Sequence, residues 1–222
     1  KLVYPVFSIL DPTKAYTLPP RQLANGVVDA FTHIMEQYLT YPVNAMVQDR
    51  FAEGLLQTLI EIGPKLLESP NDYDLQANFM WTATLALNGL IGAGVPQDWA
   101  THMIGHEITA LHGLDHAQTL AILLPTVLQE QREKKSAKLL QYAERVWGLN
   151  EGTDDTKINM AITKTRDFFE RMGVKTHLSD YQINADAIPV MIKQLAEHGL
   201  TQLGEHNDID LKKSQQILQA SL

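Results

Sequence analysis

The sequence predicts an all-α domain preceded by a short β segment. Three observations support this fold class. Apolar residues recur at helical spacing nearly everywhere after Pro20. Glycines directly follow several of these periodic segments, at positions where helices commonly end. Residues 3–10 are instead rich in β-branched and aromatic side chains, which is typical of a strand, but no later segment is an obvious partner for it.

The helices follow one another with short connections. Pro20 suits the first turn of the first helix, because the N–H that proline lacks has no partner there. Residues 69–71, Ser-Pro-Asn, end the second helix. The third is apolar on nearly every side, so we expect it to be a buried central helix. The predicted ranges are approximately 20–41, 44–68, 74–90, 99–112, 115–132, 136–147, 154–172, 185–198 and 210–220.

Composition excludes several classes of function. The chain has 222 residues, 45% of them hydrophobic, and can bury a core without covalent cross-links. Its net charge of −8 gives it no electrostatic attraction for nucleic acid or anionic lipid. It contains no cysteine, which excludes disulfides and thiolate chemistry and fits the cytoplasm. We therefore expect a cytoplasmic protein that binds neither nucleic acid nor membrane.

Acidic and histidine side chains occur in two helical segments at spacings suited to a metal. Asp29 and His33 are four residues apart and project from one helix face, which makes them a two-ligand clip for a divalent ion. Apolar residues surround the pair in sequence, and metal coordination is one way to offset the cost of burying a carboxylate. Four of the eight histidines fall within fifteen residues, at positions 102, 106, 112 and 116.

His102 and His116 can share an ion only if the chain reverses between them. On one unbroken helix they would lie about 21 Å apart along the axis, at 1.5 Å per residue. Gly113 allows the reversal, since glycine readily takes the backbone conformation of a tight turn. The next helix can then fold back and bring His116 towards His102.

The donor set limits the metal. Three imidazoles and one carboxylate suit Zn²⁺, Fe²⁺, Ni²⁺ or Co²⁺ and disfavour Ca²⁺ and Mg²⁺. The metalloprotease motif H-E-x-x-H is excluded, because Ala110 stands where its second histidine would be. A simpler interpretation remains open, in which these histidines are hydrogen-bonded members of a helical core.

At these residues the sequence resembles the iron-containing (group III) alcohol dehydrogenases, in the branch of the aldehyde reductases and butanol dehydrogenases. The resemblance runs through the whole chain. It rests on Leu10-Asp11-Pro12, on Asp29 and His33 with Glu36 after them, on Asn88-Gly89, and on His102, His106, His112-Gly113 and His116. His116 is followed by Ala117, where many members of the family have glycine.

The resemblance implies a site and a reaction. The family's metal ligands fall on Asp29, His33, His102 and His116, and His106 matches a histidine near the nicotinamide and the substrate. A bound divalent metal, iron or zinc, would polarise the carbonyl of a small aldehyde or alcohol substrate, and NADP or NAD would carry the hydride. The family also implies a homodimer.

The resemblance further implies a second domain. Family members hold the dinucleotide phosphates on a Gly-Gly-Gly-Ser loop in an N-terminal α/β domain, and the glycines at 89, 92 and 94 have the wrong order and follow a helix. We expect residues 1–12 to be the end of that dinucleotide-binding domain. Residues 13–222 would form a helical metal-binding domain like the C-terminal domain of dehydroquinate synthase. The 222-residue chain alone should bind metal weakly and be inactive.

Two other functions fit the same residues. One is a metal-dependent hydrolase or lyase on a helical scaffold, with the same ligands activating water. The other is a non-catalytic helical module whose histidines are structural. Metal content and an upstream glycine-rich loop would discriminate among the three.

Overall fold

The computed structural model describes residues 5–222, and over this range the regular secondary structure is almost entirely helical. The α-helices are α1 (Pro20–Tyr38), α2 (Met46–Glu68), α3 (Tyr73–Leu87), α4 (Ala100–His112), α5 (His116–Glu130), α6 (Ser136–Arg145), α7 (Asp154–Arg171), α8 (Ile188–Glu197) and α9 (Leu211–Ala220). Short 3-10 helices cover Pro12–Ala15, Leu178–Tyr181 and Ala185–Ala187. The predicted all-α domain is confirmed.

Helix α5 is the centre of the fold. It packs against α1, α4, α7 and α9. One face contributes Ala121 and Leu124 to a core shared with α1, α2, α3, α6 and α7. Its opposite face contributes Ile122 and Val127 to a second core with α4, α8 and α9. Because both of its faces are covered, α5 joins the two cores, and this packing fixes the position of its N-terminus.

Helices α4 and α5 form a tight antiparallel hairpin at that N-terminus. Gly113 ends α4 with φ at 70°, in the left-handed region, and its N–H donates to the Thr109 carbonyl. Gly105 on α4 faces Thr119 on α5, and a β-carbon there would lie 2.8 Å from the Thr119 hydroxyl. The absence of a side chain at Gly105 therefore lets the two helices approach closely.

Gly105→Ala is expected to lower the free energy of unfolding by about 1–3 kcal/mol, the usual effect of inserting a methyl group into a packed interface. The new methyl must displace Thr119 or push α5 away from α4. Urea unfolding measures the change. Gly54→Ala on α2 is the matched control, since a β-carbon there meets no atom within 4 Å. Equal stability of the two variants would contradict the close approach.

Three details differ from the sequence prediction. Residues 5–10 form no strand and are largely exposed, because no neighbouring strand pairs with them; Val3 and Tyr4 lie outside the described residues. The third helix is peripheral, with Trp81 and Leu87 each 56% exposed, because only one of its faces packs on α1 and α2. A two-residue antiparallel pairing of β1 (Gln202–Leu203) with β2 (Ile209–Asp210) was not predicted.

Within residues 5–222, no helix combines the length and the apolar character needed to cross a membrane.

Candidate metal centre

The first half of the site lies on α1. Asp29 and His33 are one turn apart on this helix, and Asp29 Oδ1 is 3.6 Å from His33 Nε2. Phe31, between them in sequence, points the other way and is fully buried. The pair lies at the edge of the core rather than inside it, since the side chains are 36% and 14% exposed. The predicted shared face of Asp29 and His33 is therefore present, and Asp29 borders a solvent-accessible cleft.

The hairpin of α4 and α5 supplies the second half. The ring centres of His102 and His116 are 5.0 Å apart, as the predicted chain reversal requires. His116 Nε2 is 3.5 Å from Asp29 Oδ1, and the ring of His102 is 4.3 Å from that of His33. One potential ligand atom from each of Asp29, His33, His102 and His116 lies within 4.8 Å of all the others.

The unpartnered polar atoms fit a cation at the centre of this cluster. Asp29 Oδ1 and His102 Nε2 are both buried, and neither has a hydrogen-bond partner among the described residues. Buried polar atoms are normally paired. Two acceptors beside two further imidazoles are the arrangement that a divalent transition metal would satisfy, with Asp29, His33, His102 and His116 as the residues that would hold it.

Glu36, on the same helix as Asp29, contacts the ring of His102 on the side away from the cluster. Its carboxylate is 3% exposed and hydrogen-bonds to His102 Nδ1, while its other oxygen accepts the Thr101 N–H at 2.6 Å. The sequence pattern by itself assigns no role to Glu36. Its position three residues after His33, on the same helix face, is the signal that could have found it.

Burial keeps the clustered imidazoles neutral. It lowers the pKa of His33 to about 4, against the opposing influence of the Asp29 carboxylate, and it lowers the pKa of His102 to about 4 as well. The pKa of His116 is lowered for the same reason. A neutral imidazole has a free lone pair for a metal, so these groups remain available as ligands well below neutral pH.

The metal-free chain is expected to lose stability as the pH falls from about 6.5 to about 4. His33 and His102 bind protons in this window when unfolded but not when folded, so the unfolded state takes up more protons. Above about 6.5 both states leave these rings neutral and the stability is fully present. The urea midpoint of the chelator-treated chain at about pH 7 and about pH 5 measures the effect.

The matched control is the double variant His33→Gln, His102→Gln, which should lose less stability over the same pH step. Glu36, whose pKa burial raises, acts in the opposite direction, and His116 and Asp29 also face the cluster. The comparison therefore isolates the two imidazoles. An equal loss in both proteins would contradict the prediction.

Two further side chains border the cluster. Trp99 packs edge-on against His33 and His102, at 5.6 and 5.3 Å between ring centres. Its φ of 62° is unusual for a bulky residue, and such conformations concentrate at functional sites. In the sequence, residue 99 marks only the start of a predicted helix. His106 is exposed and stacks on His116 at 5.3 Å, so the structure places it beside the cluster.

The other histidines lie elsewhere. His112 is exposed at the end of α4. His177 and His198 pair with Asp180 and Glu107, away from the cluster. Beside the cluster, an open cleft of about 300 Å³ reaches Asp29 and His116; its other lining residues are Gln22, Asn25, Gly26, Asp115 and Ala117.

Three imidazoles and one carboxylate thus lie together where α1 meets the hairpin of α4 and α5. Comparison with known proteins shows which family has this helical domain. The C-terminal model of the Fe-containing alcohol dehydrogenase family matches residues 23–222. The chain therefore belongs to the Fe-containing alcohol dehydrogenase family.

Individual relatives agree with the family match. The chain is 65% identical to the NADPH-dependent aldehyde reductase YqhD of Escherichia coli, over 99% of this chain and 57% of the relative. It is 36% identical to the probable NADH-dependent butanol dehydrogenase 1 of Bacillus subtilis, over 100% of this chain and 57% of that protein. The chain thus spans little more than half the length of these two relatives.

Solved structures show the same fold. The substrate- and cofactor-free form of the E. coli aldehyde reductase YqhD superposes with a TM-score of 0.98 at 64% identity, covering 99% of this chain and 58% of that one. NADH-dependent butanol dehydrogenase A from Thermotoga maritima superposes with a TM-score of 0.91 at 29% identity, covering 98% and 56%.

Proposed function

We propose that Asp29, His33, His102 and His116 bind one divalent metal ion, iron or zinc, in a metal-dependent aldehyde reductase or alcohol dehydrogenase. The observation that carries this proposal is the convergence of one ligand atom from each residue to within 4.8 Å. Family membership supports it, and so do the names of the relatives, which are an aldehyde reductase and butanol dehydrogenases. No observation on the site favours a hydrolase, a lyase or a non-catalytic module.

The reaction we propose is transfer of a hydride between NAD(P)H and the carbonyl carbon of a small aldehyde. When bound, the metal supplies Lewis-acid polarisation of the carbonyl oxygen. The reduced nicotinamide would bind to a part of the longer protein outside these residues, since the relatives extend well beyond the matched region. NADPH is the proposed donor, by similarity to the 65% identical relative.

The chain's own residues would position the ligands and supply a proton. The cleft beside Asp29 and His116 gives a small molecule access to the cluster. We assign proton transfer to the product oxygen to His106, which is exposed and stacks on His116. Partial desolvation beside the cluster lowers the pKa of His106, and so does the neighbouring His102, so the ring would relay a proton to the product rather than hold one permanently.

The test uses the full-length protein loaded with Fe²⁺ or Zn²⁺. We expect aldehyde-dependent oxidation of NADPH, followed by absorbance, and we expect its loss after chelation. The 222-residue chain alone should retain some metal and show no turnover. Turnover that survives complete metal removal, or robust reduction by the isolated chain, would refute the proposal.

His106→Gln is expected to lower aldehyde reduction in the full-length protein by about 100-fold, the lower end of general acid–base contributions, and to leave Zn²⁺ affinity unchanged. Kinetics and calorimetry measure the two quantities. If His106 instead only supports the ligands, metal affinity falls and turnover at saturating metal recovers. That second outcome would contradict the proton-transfer role.

We further propose a cytoplasmic homodimer. The absence of cysteine supports the compartment. The exposed apolar side chains of Trp81, Leu87 and Leu90 support association of this surface with a second copy or with another part of the full-length protein. Sedimentation of the full-length protein tests the oligomeric state.

A further inference from the structure

We propose that Glu36 is a positioning residue that fixes which nitrogen of His102 faces the metal cluster. His102 has two ring nitrogens, and only one can point at Asp29, His33 and His116. Nδ1 is engaged by the Glu36 carboxylate, while Nε2 is buried without a partner among residues 5–222. An ionised carboxylate only accepts hydrogen bonds, so in this form Glu36 accepts from both Thr101 N–H and the ring, draws the ring proton onto Nδ1 and leaves the Nε2 lone pair free. This inference rests on the proposed metal site.

Glu36 is held so that it cannot turn away. Its second carboxylate oxygen accepts the backbone N–H of Thr101, the residue before His102, at 2.6 Å. Its own backbone carbonyl accepts the Asp98 N–H at 2.9 Å. One carboxylate therefore satisfies a free N–H in the first turn of α4 and orients a ring projecting from the same turn.

Asp98 is itself held by two further contacts. Its carboxylate accepts the Ala100 N–H at 2.9 Å and pairs with Lys135 Nζ at 2.8 Å. Lys135 also pairs with Glu205 at 2.7 Å, and all three of these charged side chains are at most 4% exposed. This buried group ties the start of α4 to α1 and to the turn between β1 and β2. The contact between Glu36 and His102 is thus part of a rigid framework rather than a surface contact.

The Glu36→Gln variant separates this role from simple packing. Glutamine has the same shape but one acceptor oxygen for two donors, the Thr101 N–H and the His102 Nδ1–H. The backbone amide cannot change, whereas an imidazole can move its proton to the other nitrogen. We therefore expect the glutamine oxygen to accept from Thr101 and its NH₂ to donate to His102 Nδ1, which places the proton on Nε2, the nitrogen that faces the cluster.

The chain contains a matched control on α4, the helix that carries His102. Glu107 is 4% exposed and contacts His198 Nδ1 at 2.7 Å, in the same chemical arrangement but outside the cluster. Glu107→Gln removes a buried carboxylate bonded to a histidine without touching a proposed ligand.

The experiment has two measurements. Calorimetry on the 222-residue chain gives the Zn²⁺ affinity. ¹⁵N NMR on the metal-free chain at alkaline pH shows which ring nitrogen of His102 carries the proton. Glu36→Gln should weaken Zn²⁺ binding by about 10- to 100-fold, the range for residues that orient metal ligands, and move the proton to Nε2. Glu107→Gln should change neither. Zn²⁺ binding as tight as in the wild type, with the proton still on Nδ1, would overturn the proposal.

The experiment still tests the role of Glu36 if the chain binds no Zn²⁺ or if the Glu36→Gln variant does not fold. If the wild-type chain binds no Zn²⁺, the proposed metal site falls, while the position of the His102 proton still judges the role of Glu36. If Glu36→Gln does not fold, the wild-type spectrum decides alone: a proton on Nδ1 supports the proposal and a proton on Nε2 overturns it.

Discussion

Asp29→Asn is expected to lower the affinity of the chain for Zn²⁺ by more than about 100-fold, a larger effect than loss of a residue that only orients a ligand. Asp29 supplies the anionic oxygen of the proposed ligand set, 3.5 and 3.6 Å from the Nε2 atoms of His116 and His33. An amide has the same shape, but its oxygen is neutral and a weak ligand for a transition metal. Calorimetry on the chelator-treated chain measures the loss.

Asp115→Asn is the matched control. Asp115 lines the same cleft as Asp29 and caps α5, and asparagine is an equally good cap, so the variant makes the same charge change in the same cleft while keeping the helix start. We expect its Zn²⁺ affinity to stay near that of the wild type. If both variants weaken binding equally, the effect is the field of the carboxylates rather than coordination. If Asp29→Asn binds normally, the proposed site is wrong.

Aldehyde reduction by the full-length Asp29→Asn protein should fall in parallel with its metal content. The Asp29→Asn chain should fold normally without metal, because Asp29 Oδ1 has no hydrogen-bond partner to lose among the described residues. A fold that collapses without metal would show that the carboxylate has a structural role in addition.

Phe31→Ala is expected to lower the free energy of unfolding by about 3–5 kcal/mol, the typical cost of removing a fully buried phenylalanine. Phe31 is 0% exposed, and its ring contacts those of Phe168 and Phe169 at 5.3 and 5.4 Å between centres. These contacts join α1 to α7, so the cavity opens in the main core. Urea unfolding at fixed pH measures the change in midpoint.

Phe51→Ala on α2 is the control, since Phe51 is 44% exposed and its truncation should change stability by less than about 1 kcal/mol. A small loss in Phe31→Ala, comparable to that of Phe51→Ala, would contradict the packing of α1 on α7. Because Phe31 lies between Asp29 and His33 on the opposite face of α1, the folded variant should still bind Zn²⁺.

Local sequence patterns were sufficient to predict the positions of the helices and part of the site geometry. Helical periodicity and glycine stops predicted the helices to within a few residues, because both signals lie in neighbouring residues. The spacing of Asp29 and His33 predicted a shared face, and Gly113 predicted the reversal that brings His102 to His116; both arrangements are present. The ligand role of these residues stays a prediction, as do the domain boundaries at residue 12.

Burial was predicted less well than helix position. Helix α3 is as apolar as α5, yet α5 is covered on both faces and α3 on one. Apolar composition shows that a surface should be buried somewhere, but not which partner buries it. Residues 5–10 failed in the same way, since a strand needs a neighbour that composition does not provide.

By itself, the sequence determined the order of the helices, the chemistry of the donor set and the family resemblance, because each depends on residue types at short spacing. The tertiary structure decided the rest. It determined the central position of α5, the place of Trp99, with its left-handed backbone conformation, beside the imidazoles, and the contact of Glu36 with His102. The last two join residues 66 positions apart or more in the chain. Such contacts exist only when packing has fixed where whole helices lie. The spacing of Glu36 after His33 indicates a shared helix face, but it does not show that the carboxylate contacts His102.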